Sequence, residues 1–161
     1  MGYLMNVSEV LEFAVYIEQN GYQFYVESLK KFPEPNIVEL FQYLADEEFK
    51  HEQLFKKMLA EAGKFTPTET YDGEYQAYMR EFCKSHSLAD RDASKAKIKA
   101  VSSLEGALEM AVAFEKDSIV FFTQLKDLVG GEQRSPVDRI IHEEMLHLRR
   151  IFEFREQLNK K

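Results

Sequence analysis

Residues 142–147 read HEEMLH. The segment combines imidazole and carboxylate, the donors that hold borderline divalent metals. Zinc proteases carry two histidines four residues apart on one helix face. His142 and His147 are five apart, about 500° around a helix, so they share no face and the protease pattern fails. The pair that does share a face is Glu144 and His147, at i and i+3. The same spacing occurs at Glu48 and His51.

These two pairs belong to an internal repeat. VLEFAVYIEQNGYQFY (10–25) aligns with ALEMAVAFEKDSIVFF (107–122) at an offset of 97 residues. Leu11 meets Leu108, Ala14-Val15 meets Ala111-Val112, Glu18 meets Glu115 and Phe24 meets Phe121. YLADEEFKHEQLF (43–55) aligns with RIIHEEMLHLRRI (139–151) at an offset of 96, so Glu47-Glu48 meets Glu143-Glu144 and His51 meets His147. The chain therefore reads as two copies of a helix pair. Each first helix carries a glutamate in an apolar stretch, and each second helix carries Glu-x-x-His. Two such hairpins packed about a pseudo-twofold bring four glutamates and two histidines together, the donor set of di-iron and di-manganese carboxylate bundles. Four carboxylates neutralise two divalent ions, and imidazoles complete shells that suit iron, manganese or zinc. The inferred metal ligands are Glu18, Glu48, His51, Glu115, Glu144 and His147. A glutamate buried among apolar residues without a partner is costly, and a metal supplies the partner.

Glu47 and Glu143 compete for the same role, each four residues before a histidine. We read them as carboxylates beside the ligands or at the surface. Tyr22 and Tyr25 follow Glu18 by four and seven residues, so both can face the site. A phenol there can hold a ligand carboxylate in place, or simply fill the core with its tip bonded. His86 and His142 read as exposed or structural, and Cys83 as a buried or half-buried residue.

The elements that position these groups are legible from apolar spacing. A helix follows a cap at Asn6 or Ser8 and ends at the FPEP of 32–35, where proline removes a donor. A second runs from about Asn36 to Ala62, with Gly63 as its expected C-cap. Residues 63–101 form a long crossover: TPTETYDGEY reads as loop, and DGEYQAYMREFCKSH and LADRDASKAKIKAVSS as two short helices. A third long helix starts at Ser102 or Ser103 and stops at Gly130-Gly131. Ser135-Pro136 starts a fourth, with proline in the favoured first turn. Four helices, short outer links and one long crossover give an all-α four-helix bundle in a single domain, 1–161.

Composition narrows the function classes. Of 161 residues, 45% are hydrophobic and 30% charged, with a net charge of −7. That is ordinary for a soluble domain and carries no nucleic-acid footprint. The single cysteine, Cys83, excludes an internal disulfide and a four-cysteine iron site. No signal peptide and no membrane span are legible, so a cytoplasmic protein is expected.

IEQNGYQFY, DEEFKHEQLF, LEMAVAFEKDSIVFF and HEEMLHL resemble the four ligand helices of rubrerythrin-like proteins in the ferritin-like superfamily. The resemblance covers nearly the whole chain outside the crossover. It implies a ferritin-like bundle with a non-haem di-iron centre on the same six residues, commonly in a homodimer. It also implies reduction of hydrogen peroxide or dioxygen, with the diferrous centre supplying two electrons. Two features depart from the family pattern. No rubredoxin domain is present, so electrons must come from a separate donor, such as a rubredoxin-type protein. Ser118 stands where rubrerythrins proper usually carry another glutamate, three residues after the third-helix ligand. This implies a more symmetric six-ligand centre with His51 bound throughout, and opens ferroxidase-like chemistry beside the peroxidase reaction. An iron or manganese binding, storage or buffering protein without turnover is the alternative.

Overall fold

The computed structural model describes residues 7–62 and 73–160. Four long helices dominate: α1 (Val7–Lys31), α2 (Pro35–Glu61), α5 (Leu104–Val129) and α6 (Arg134–Asn159). Two short ones, α3 (Gly73–Ser85) and α4 (Arg91–Ala100), lie in the crossover, and a 3-10 turn (Gly131–Gln133) precedes α6. No strand occurs among the described residues. The all-α bundle expected from the repeat is thus the observed architecture. Among the described residues no helix is long and apolar enough to cross a membrane.

Local chemistry explains the boundaries. Pro35 occupies the first turn of α2, where its missing N–H costs nothing. Ser103 caps α5 by accepting from the Gly106 N–H at 3.1 Å. Gly130 and Gly131 stop that helix at φ 58° and 50°, values that favour residues without a Cβ. The fourth long helix begins at Arg134, one residue before the expected Ser135, because the 3-10 turn winds directly into it. The expected caps at Asn6 and Gly63 and residues 66–72 of the expected loop lie outside the described residues; the last three loop residues, Gly73 to Tyr75, instead open α3, and Ser8, the other expected cap, lies within α1.

The packing is two antiparallel hairpins, α1 with α2 and α5 with α6, set against each other. Their shared interior divides into two apolar cores. One gathers Leu11, Ile17, Phe55, Phe121, Phe122 and Ile140. The other gathers Phe24, Phe41, Leu44, Leu108, Phe114 and Ile151. Along every long helix the chain passes from one core to the other through one polar turn. Those four turns carry Glu18, Glu48 and His51, Glu115, and Glu144 and His147. All six are at most 2% exposed.

The crossover is pinned to α1 and α5. Lys31 Nζ donates to the carbonyls of Ile98, Lys99 and Val101 at 2.8–3.0 Å, closing the C-terminal end of α4. Asn20 Nδ2 donates to the Leu88 carbonyl at 2.7 Å, and the Ser87 N–H donates to Asp117 Oδ2 at 2.8 Å.

Candidate metal centre

The six sequence-selected residues converge in one cluster. Their donor atoms fall into two overlapping groups, each with all donors within 4.8 Å of one another. One holds Glu18, Glu48, His51 and Glu144; the other holds Glu48, Glu115, Glu144 and His147. Glu48 and Glu144 belong to both. His51 Nδ1 lies 2.8 Å from Glu144 Oε1 and 3.8 Å from Glu18 Oε2. His147 Nδ1 lies 3.3 Å from Glu144 Oε2, 3.5 Å from Glu115 Oε2 and 3.6 Å from Glu48 Oε1. The imidazoles stack with centroids 5.6 Å apart and planes 19° apart, each presenting Nδ1 to the carboxylates.

The donor set fits a pair of cations. Both oxygens of Glu18 and of Glu48, Glu115 Oε2, Glu144 Oε1 and His51 Nδ1 are buried without a hydrogen-bond partner. Buried polar atoms are almost always partnered, and so many orphans aimed at one centre match the lone pairs a metal takes up. Electrostatics agree. Burial, together with neighbouring carboxylates, pushes Glu18 and Glu48 well above the usual carboxylate range. Burial and Glu144 push Glu115 up to about 8. Burial opposes charge on the histidines too, but Glu144 overcomes it and raises His51 to about 10 and His147 to about 12. Glu144 resists its own burial and is held well below its usual range by the two histidines.

Surrounding groups treat the halves differently. The Tyr25 hydroxyl, fully buried, donates to Glu115 Oε1. Burial and the nearby carboxylates raise its pKa well above normal, so it stays a donor. The residue that repeat symmetry would place against Glu18 is Phe122, which has no hydroxyl. His51 Nε2 meets Glu143 Oε2 at 2.9 Å. A carboxylate there fixes the ring and keeps Nδ1 directed inward. Tyr22 departs from expectation: it is 37% exposed and packs on Phe49 at 6.2 Å rather than facing the cluster. The buried stripe of α1 runs Leu11, Ala14, Glu18, Gly21, Tyr25, and Tyr22 sits about 100° off Gly21.

Sequence reasoning passed over two contributors, Gly21 and Glu52, and the structure decides between the two readings of His86. Gly21 is one turn beyond Glu18 and lets the Phe114 ring lie directly against the α1 backbone. Glu52, 7% exposed, accepts from Gln19 Nε2 at 2.9 Å and pairs with Lys56 at 2.5 Å. His86 proves structural: its ring sits edge-on to Phe13 and Phe114, and Nε2 lies 3.2 Å from the buried Ser118 hydroxyl. Burial lowers it to about 4. His142 is exposed and Cys83 buried.

The same architecture occurs in a protein of known structure. A crystal structure from Thermotoga maritima, described as a ferritin-like diiron-carboxylate protein, superposes with a TM-score of 0.68 at 27% identity. The alignment covers 97% of this chain and 98% of that one. No curated protein sequence matches. The sequence profile of rubrerythrin matches residues 9–155. That match runs through all four long helices and the crossover between them, and on this ground the chain belongs to the rubrerythrin family.

Proposed function

We propose that the cluster holds two iron ions and that the protein is a non-haem di-iron oxidoreductase, reducing hydrogen peroxide or dioxygen. The observation that carries this is the division of the donors into two groups sharing Glu48 and Glu144. Glu48 and Glu144, common to both groups, would serve both ions, with Glu18 and His51 holding one and Glu115 and His147 the other. Manganese and zinc suit the same donors; family membership and the diiron-carboxylate character ascribed to the Thermotoga maritima protein favour iron. A bound pair of ferrous ions supplies two electrons and Lewis-acid stabilisation of developing oxygen charge.

The chain's own residues set the conditions. Tyr25 ties down Glu115 Oε1 and leaves Oε2, unpartnered and 3.5 Å from His147 Nδ1, on the inner side. Glu143 accepts from His51 Nε2 and keeps the Nδ1 lone pair inward. Apolar cores on both sides exclude bulk water, which strengthens every charge interaction between them. Glu143 is 36% exposed at its side chain, so it can pass protons between solvent and the His51 ring. These 161 residues, with one cysteine, hold no four-cysteine iron site, and the electron donor we propose is a separate protein of the rubredoxin type. A homodimer in the cytoplasm is the setting we propose.

Anaerobic stopped-flow mixing of ferrous-loaded protein with peroxide or dioxygen tests the reading. Oxidation faster than that of free ferrous ion, with repeated turnover when a donor is supplied, is the expected result. Stoichiometric binding with oxidation no faster than free ferrous ion would reject catalysis and leave metal buffering.

A further inference from the structure

The repeat predicts that each histidine meets the outer glutamate of the opposite pair. Glu143 would serve His51, and Glu47 would serve His147. Only the first contact forms. His147 Nε2 is buried without a hydrogen-bond partner. Its outer side is closed by Tyr43, edge-on at 5.7 Å, with Arg150 stacked 3.9 Å from the Tyr43 ring centroid. Glu47 turns the other way. Glu47, His51 and Glu143 each offer a donor atom within 4.8 Å of the other two. The cause lies three residues on. Lys50 follows Glu47 by one helical turn and pairs with it, whereas Leu146 follows Glu143 and cannot.

This outer trio spans the boundary between solvent and the buried centre. The Glu47 and Glu143 side chains are 15% and 36% exposed, while His51 is 3% exposed and directs Nε2 out between them. We propose that Glu47, Glu143 and His51 Nε2 form a loading station, which captures a hydrated divalent cation before it passes to the His51 half of the centre. The proposal rests on the reading that the six inner residues hold metal. Two carboxylates attract the ion and replace part of its water, and an imidazole adds a nitrogen donor. His51 belongs to both the outer trio and the inner donor group, with Nε2 toward Glu143 on the outside and Nδ1 toward Glu144 on the inside, so it links the station to the centre. Loading is therefore one-sided: the His51 half faces the station, and the His147 half is closed behind Tyr43 and Arg150. Lys50 competes with the ion for Glu47 and restrains capture.

The test is stopped-flow uptake of cobalt(II) by the metal-free full-length protein, read from the visible spectrum. Glu47→Gln should slow uptake roughly tenfold, the low end of electrostatic steering effects, while leaving two ions bound and the final spectrum unchanged. Lys50→Gln should accelerate uptake. Glu143→Gln should both slow uptake and alter the final spectrum, because it also holds His51. Uptake by Glu47→Gln at the wild-type rate would overturn the station and leave the inner site untouched. Failure of the wild type to bind cobalt would overturn the metal reading itself.

Discussion

Gly21→Ala puts the positioning of the centre to a direct test. A Cβ on Gly21 would lie 2.7 Å from Phe114 Cε1, 3.2 Å from Cε2 and nearer still to Cζ. Ordinary contact needs about 3.5 Å or more, so the ring or the helix must move. Phe114 has little freedom: it is fully buried, with Tyr25 and His86 edge-on at 6.3 and 5.7 Å. Overpacking of this kind costs about 1–3 kcal/mol. Alanine returns about 0.5–1 kcal/mol of helix propensity, leaving a net loss of about 0–2.5 kcal/mol. For a domain of this size each kcal/mol moves Tm by about 2–4 °C, so the variant should melt lower by up to about 10 °C. Gly21 follows Glu18 by one turn and Phe114 precedes Glu115, so the same displacement separates the two glutamates and should weaken metal binding. Thermal melts of Gly21→Ala, Phe114→Leu and the double variant measure the coupling, because the smaller side chain frees the space. A Gly21→Ala protein more stable than wild type, or a double variant whose losses simply add, would refute the close-approach argument.

Tyr25→Phe removes the donor to Glu115 and should cost about 1–3 kcal/mol in denaturant melts, with two ions still bound and a changed cobalt spectrum. His86 supplies a pH signature: its folded pKa of about 4 lies below the unfolded 6.5. Between those values the unfolded chain binds a proton that the folded chain does not, so stability falls as pH drops from 6.5 to 4. His86→Gln should flatten that part of the curve, measured by denaturant midpoints at pH 7, 5 and 4; an unchanged slope would exclude His86 as its source. Chelation should lower Tm, since a metal at about a hundred times its dissociation constant contributes about 2.7 kcal/mol per site. Calorimetry with and without chelator checks this.

The six cluster residues were legible in the sequence because ligand spacing and helix period coincide. Glu-x-x-His places two donors on one face, and a repeat at near-constant offset marks both copies. Tyr22 misled because four residues is close to one turn but not equal to it. The stripe that faces the centre alternates steps of three and four, so Tyr25 stays on it and Tyr22 rotates out to Phe49. The inequality of Glu47 and Glu143 was written in the next turn, as Lys50 against Leu146. A symmetric repeat hides a difference that arises only from neighbours. Gly21 carries no sequence signal of its own, since a helical glycine reads as a weak point until the ring against it is known. His86 was legible only as a choice between surface and structure, because the crossover that places it against Ser118 has no periodic partner.

Two metal ions shared by two overlapping donor groups are the centre of the proposed function. Anomalous diffraction at the iron edge, from crystals of the iron-loaded protein, tests that directly. Two iron peaks per chain are predicted, one beside Glu18 and His51, the other beside Glu115 and His147, with Glu48 and Glu144 touching both. A single peak, or iron bound away from these six residues, would contradict it.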